Sequence, residues 1–319
     1  MTSPLPSPGT TGNGYRHELY PYRGRDEFVE GTMSFIQDAL EIGEAVVVAV
    51  PPDKASMLRT EIREDDAVRY VDTSSVAHYP GRHIAAWQEW ISEHVAHGRP
   101  VRGIGESPWD TVRTPAEADE LRYHEWLLNK VFAQGPAWWL LCPYDLDHDD
   151  AELEEMARCH PEVRSQGRTV PCEEYDSQAP YACSELSLPL ERFEEFAYTS
   201  GDLGAMRDKI VACAELSGLT GRRLSELCLA ATEVATNSIR HGGGRGILRA
   251  WNQHTWLVCD FHDAGHFTDP LAGRTRPSPR QLGGRGLWLV HQLCDLVQIR
   301  STPDKGTMVR LHTELPAVV

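Results

Sequence analysis

Glu233, Asn237 and His241 stand four residues apart in the run Glu233-Val234-Ala235-Thr236-Asn237-Ser238-Ile239-Arg240-His241-Gly242. On a helix this spacing puts the three on one face and turns Leu227, Ala231, Val234 and Ser238 toward the other, so one face packs and the other carries chemistry. A carboxylate and a carboxamide one turn apart suit Mg²⁺, which takes oxygen ligands, keeps several waters and lets phosphate oxygens complete its octahedron. Downstream, in order, come Asp263-Ala264-Gly265, then Gly284-Arg285-Gly286 ahead of an apolar stretch at 287–293, then Gly306-Thr307. Glycines at the start of a helix let backbone amides close around an anion. The combination points to a nucleoside triphosphate and its metal.

Each signal alone has a plainer reading. An asparagine inside a helix is usually solvated, Asp-x-Gly is usually a turn, and Gly-x-Gly by itself is common. Their order over roughly seventy residues, in a segment alternating strand and helix patterns, is what a two-layer α+β sandwich requires. His241-Gly242-Gly243-Gly244 mimics the oxyanion glycines of lipases, but the chain has no Gly-x-Ser-x-Gly elbow, which excludes that hydrolase reading.

The ordered set Glu-x-x-x-Asn, Asp-x-Gly, Gly-x-Gly and Gly-Thr resembles the GHKL (Bergerat-fold) ATPases. Within them it looks most like the anti-sigma factor kinases of the RsbW/SpoIIAB type, and the whole chain is similar to RsbA-like anti-sigma regulatory proteins. The resemblance implies ATP and Mg²⁺ as cofactors. It implies Asn237 as the Mg²⁺ ligand, Asp263 as acceptor for the adenine amino group, and Gly265 as the point where the base nears the backbone. Gly284, Arg285 and Gly286 would surround the phosphates, His241 and Thr307 would lie near the nucleotide, and Glu233 would be the catalytic base. The activity implied is phosphoryl transfer to a serine or threonine of a partner, with a sigma factor or its antagonist protein as partner and transcription as the regulated output. The surface near the helix expected at 202–217 would meet that partner, and the likeness leaves a homodimer open. Two other readings stand beside this one: a switch that binds ATP and sequesters a partner without phosphorylating it, and the catalytic part of a soluble histidine kinase.

At 319 residues the chain is long enough for two cored domains, and 41% hydrophobic with 24% charged residues is ordinary globular composition. No apolar run is long enough to span a bilayer and no signal sequence opens the chain, so a cytoplasmic protein without a membrane partner is expected. The net charge of −16 is uneven. Residues 187–319 hold 15 Lys+Arg against 14 Asp+Glu, which leaves 16 against 33 for residues 1–186. Such a chain offers no broad basic face for direct nucleic-acid binding. Arg240, Arg245, Arg249, Arg274, Arg276, Arg280 and Arg285 surround the proposed site and are compatible with ATP. Eight cysteines without regular spacing read as reduced thiols, with Cys228, Cys259 and Cys294 in core patterns.

Residues 1–14, rich in Pro, Gly, Ser and Thr, read as a disordered tail. Asp26 is placed as the cap of a helix running to about Ile42 and ended by Gly43. Strands are expected at 45–50, 68–71, 101–104 and 138–142, with helices near 53–64, 83–97, 116–134 and 150–159. Alternation of this kind implies a parallel sheet with helices on both faces, here without a phosphate-binding loop. His17, the 43–51 strand, Arg102-Gly103-Ile104-Gly105-Glu106, His124-Glu125, Leu141-Cys142-Pro143-Tyr144-Asp145 and His160-Pro161 resemble the MEDS sensory domain. That likeness implies sensing of a small, hydrocarbon-derived molecule over residues 15–161. Trp87, Trp90, Trp109, Trp126, Trp138 and Trp139 either bury such an apolar ligand at the carboxyl ends of the strands or simply fill the core. Cys142, His148, Cys159, His160, Cys172 and Cys183 match no zinc spacing, which disfavours a metal or redox site. Residues 162–186 read as a linker and 187–319 as the ATPase domain.

Overall fold

The computed structural model describes residues 14–63, 67–71, 80–107, 114–147, 150–165, 167–178, 186–189, 193–278 and 283–316. The chain forms two compact units, one of residues 1–77 and 86–179 and the other of residues 78–85 and 180–319. Trp109, His148, Cys183 and Arg280, along with the tail before Gly14, lie outside the described residues.

The first unit contains, in order, β1 (Tyr15–Tyr22), α1 (Gly24–Glu41), β2 (Ala45–Ala49), α2 (Pro52–Glu61), β3 (Val68–Tyr70), residues 86–96 of α3 (Pro80–Ala96), β4 (Val101–Gly105), α4 (Pro115–Phe132), β5 (Trp138–Asp145), α5 (Asp150–Cys159), β6 (Glu162–Ser165) and β7 (Arg168–Pro171). The seven strands form one sheet in the order β3-β2-β4-β5-β1-β6-β7, parallel except for the antiparallel β6–β7 pair. Helices cover both faces. Ile104 of β4 joins Phe35 and Ile36 of α1 in one buried cluster. Its neighbour Gly103 points the other way, where an added Cβ would meet the Trp87 ring of α3 at 2.8 Å.

Two expectations are revised here. Asp26 lies in the first turn of α1 rather than at its cap: the cap position is Arg23, whose N–H donates to Glu27 Oε2 at 2.6 Å. Residues 162–171, read as the start of a linker, form the β6–β7 hairpin, turning at Gly167 with φ +71°. The end of α1 agrees with expectation, since Gly43 takes φ +78° and donates to Leu40 O, with Glu44 N–H donating to Ala39 O.

The second unit contains β8 (Glu194–Thr199), α6 (Leu203–Leu216), α7 (Gly221–His241), β9 (Arg245–Gln253), β10 (Trp256–Asp263), α8 (Arg285–Leu293), β11 (Leu296–Thr302) and β12 (Gly306–Glu314). Its sheet runs β11-β12-β10-β9-β8, and every neighbouring pair is antiparallel. One sheet face packs on helices. Leu257, Cys259 and Phe261 of β10 share a core with Met206 and Ile210 of α6, Leu227, Ala231 and Val234 of α7, and Val290 of α8. The alternate residues Trp256 and Val258 join Trp251 and Phe193 on the opposite face. This is the two-layer α+β arrangement of a GHKL-type ATPase. Burying the α7 stripe fixes its rotation and leaves the Glu233–Asn237 edge only half-buried.

Candidate functional site

The expected side chains of α7 and the glycine pair before α8 are brought together. A Cβ added to Gly286 would lie 2.8 Å from Glu233 Oε2, 3.5 Å from Asn237 Nδ2 and 3.8 Å from Asn237 Oδ1. Glycine at 286 therefore keeps open the space into which the carboxylate and carboxamide face. Gly284 caps α8 in the left-handed region at φ 77°, and Gly283 before it has φ 125°. These conformations favour glycine strongly, and they turn the chain so that the first amides of α8 head a helix with positive dipole character.

The Asp-x-Gly element lies at the C-terminal end of α7. Asp263 ends β10, and its Oδ1 accepts the Gly265 N–H at 2.8 Å. The C-terminus of α7 lies directly against it: a Cβ on Gly242 would sit 2.3 Å from Asp263 Oδ1, and one on Gly265 would sit 2.5 Å from His241 O. A side chain at Gly265 would collide with backbone, and one at Gly242 with the Asp263 carboxylate. His241 thus borders the site through its main chain, with its side chain exposed.

Thr307 pairs with Asp263 across β12 and β10. Its hydroxyl donates to Gly265 O at 2.9 Å and lies 2.8 Å from Ser301 Oγ. At 6% exposure it braces the Asp-x-Gly turn. Gly306 beside it has φ +79°, and a Cβ there would fall 2.0 Å from Asp263 O.

Two supporting residues escaped the sequence reading. Ser301 accepts the Phe267 N–H at 3.1 Å while touching Thr307, so β11, β12 and the segment after Gly265 are tied together. Tyr198 of β8 is buried in the core beside Gly246, and burial, reinforced by the Asp263 charge, pushes its phenol up to about 12. Neither belongs to a short motif, so only the tertiary fold reveals them. Of the arginines expected around the site, Arg249 pairs with Glu195 at 3.0 Å and Arg274 is buried at 2% exposure, whereas Arg285 is exposed beside Gly284.

In the first unit, β2 connects to β3 on one side and the chain then crosses to β4 on the other, which places a topological switch between the carboxyl ends of β2 and β4. Glu106 follows β4 there. Its Oε1 accepts the Tyr22 hydroxyl at 2.9 Å and pairs with Lys54 of α2. Burial raises the Glu106 carboxyl to about 7 against the opposing pull of Lys54. Three of the described tryptophans pack against other rings: Trp138 lies 5.0 Å from Tyr15 and 4.8 Å from Phe132, Trp87 lies 5.5 Å from Trp138, and Trp139 meets Phe35 edge-on at 5.1 Å.

Residues 16–161 match the model of the MEDS family, the methanogen/methylotroph, DcmR sensory domain. Residues 196–313 match the histidine kinase-like ATPase domain. The chain is a MEDS sensory domain followed by a histidine kinase-like ATPase domain. No curated protein matches it. Among the described residues, no helix is long and apolar enough to cross a membrane.

Proposed function

We propose that the second unit binds Mg-ATP and acts as an anti-sigma factor type serine/threonine kinase, its output tuned by the MEDS domain. The observation that carries the reading is the meeting of Glu233 and Asn237 over Gly286, bordered by the Asp263–Gly265 turn. An amide oxygen, a carboxylate and a glycine-opened space fit a hard cation with phosphate oxygens. Asn237 would hold Mg²⁺, the α8 amides at Gly284–Gly286 would face the phosphates, and Asp263 would accept from the adenine amino group. Mg-ATP supplies the transferable phosphoryl group. Glu233 would orient the partner hydroxyl and accept its proton, and fixed donors would stabilise the charge as the hydroxyl oxygen takes the terminal phosphoryl group and ADP leaves.

The test is to incubate the full chain with γ-labelled Mg-ATP and extract from the native cell, then identify the labelled amino acid. Phosphoserine or phosphothreonine on a partner, lost in Glu233→Ala, is the expected result. A stoichiometric partner complex without label supports the sequestering switch instead, and label on a histidine of the chain itself supports the histidine-kinase reading.

A further inference from the structure

The first unit holds a second polar cluster, buried far more completely than the Glu106 group. His17 of β1, Glu125 of α4, Cys142 of β5 and His160, just after α5, are each at most 6% exposed. One ligand-type atom from each lies within 4.8 Å of all the others. His17 Nε2 is 3.3 Å from Cys142 Sγ and 3.4 Å from Glu125 Oε2. His160 Nε2 is 3.7 Å from the same carboxylate oxygen, and Cys142 Sγ is 4.0 Å from it. Tetrahedral zinc with ordinary Zn–N, Zn–O and Zn–S bonds separates its ligand atoms by roughly 3.3–3.6 Å. The cluster is close to that size before any adjustment.

The surrounding hydrogen bonds determine which way the lone pairs point. Met156 O can only accept, so His160 Nδ1, 2.7 Å away, carries a proton and donates. Asn129 Nδ2 donates to Cys159 O at 2.6 Å, which turns Asn129 Oδ1 toward His17 Nδ1 at 3.1 Å and makes that nitrogen a donor as well. With Nδ1 of each ring committed as a donor, Nε2 of each is the nitrogen left to present a lone pair. Both lone pairs converge on the same oxygen of Glu125, whose other oxygen accepts from Ser107 Oγ. Among the described residues, His160 Nε2 has no hydrogen-bond partner. Two imidazole nitrogens and a carboxylate oxygen thus face one another with a single thiol proton among them, an arrangement that lacks positive charge at its centre.

We propose that His17, Glu125, Cys142 and His160 form a site for a divalent transition-metal ion, with zinc the best match. Binding displaces the Cys142 thiol proton to solvent, so that one thiolate and one carboxylate neutralise the dication in a sealed interior. The bonds from Asn129, Met156 and Ser107 serve as the outer contacts that orient metal ligands. Four protein donors leave no open position, which is the pattern of a structural rather than a hydrolytic zinc. The ion would join β1, α4, β5 and the α5–β6 connection, and because the ligands are sealed it enters as the unit folds.

The experiment uses the full chain produced with zinc supplied, and also refolded with Zn²⁺ alone. Elemental analysis after desalting should give about one zinc per chain. Cobalt in its place should give the intense visible bands of tetrahedral geometry and a near-ultraviolet thiolate charge-transfer band that Cys142→Ser abolishes. Cys142→Ser and His160→Gln should each weaken zinc binding at least ~10-fold. Asn129→Ala keeps every ligand and should weaken it measurably, while Cys172→Ser leaves zinc bound as in the wild type. Should the ligand variants fail to fold, the wild-type readings decide: a cooperatively melting chain that takes up no zinc, or cobalt spectra without a thiolate band, overturns the proposal. So does a full equivalent of zinc retained in both Cys142→Ser and His160→Gln.

Discussion

In the second unit, Glu233 and Asn237 rise from one helix, stay half-buried and face a gap maintained by Gly286. In the first, His17, Glu125, Cys142 and His160 come from four separate segments and meet in an interior where His160 is wholly covered. The open site keeps its polar groups hydrated until a ligand arrives, so their cost to stability is small. The sealed cluster has already lost its water and must be satisfied from within, by hydrogen bonds or by an ion. Accessibility therefore separates residues that a ligand can reach from residues enclosed by the fold.

The largest expected effect tests whether the open site is catalytic. Glu233→Ala should retain ATP while lowering transfer to a partner hydroxyl by ~10²–10⁴-fold, as loss of a general base does. Single-turnover phosphorylation measures this, and equal rates in variant and wild type would remove Glu233 from the chemistry. Next, Gly286→Val places carbon where Glu233 Oε2 now lies 2.8 Å from an added Cβ. Nucleotide affinity should fall ~100-fold or more, about 2.7 kcal/mol or more, with the unit still folded by circular dichroism. Unchanged affinity would mean that the gap is not where phosphates bind.

Gly306→Ala probes the frame rather than the opening. Its φ of +79° and the 2.0 Å approach of an added Cβ to Asp263 O should cost about 1–3 kcal/mol in denaturant unfolding. A neutral result would show that β12 can move away from the Asp-x-Gly turn without penalty.

The smallest effect concerns Glu106, packed with Lys54, Tyr22 and Asp145. Its folded carboxyl titrates near 7 against an ordinary 4.5. Between those values the folded state keeps a proton that the unfolded state releases. The associated stabilisation is complete below about pH 4.5 and is lost as pH rises through about 7. Glu106→Gln should flatten that part of the first unit's stability profile by about 1–3 kcal/mol. A profile identical to the wild type's would show that Lys54 holds the carboxylate ionised throughout.

The second unit was legible because its chemistry is local. The i, i+4 spacing of Glu233 and Asn237, the Asp263–Gly265 turn and the Gly284–Gly286 pair each fit within a few residues, and their order implied the sheet between them. The helix expected at 202–217 matches α6, Leu203–Leu216, closely. What stayed hidden depends on contacts distant in sequence. β1 carries His17 and Glu18 in the interior, so it lacks the apolar run that announced β2. β6 and β7 are short edge strands of mixed polarity, which read as linker. Spacing along the chain groups Cys142 and His160 with His148 and nearby cysteines. Cys159 instead approaches Arg122 O, and Cys172 approaches Ala157 O. The actual companions are a β1 histidine and an α4 glutamate, which no spacing rule connects.

Calorimetry of Mg-ATP binding to the full chain, set beside Asn237→Ala, tests the central claim most directly. The account predicts saturable one-site binding that depends on Mg²⁺ and weakens by about 10- to 100-fold in the variant, or about 1.4–2.7 kcal/mol. A folded wild-type chain that gives no binding, or a variant that binds Mg-ATP as tightly as the wild type, would contradict it.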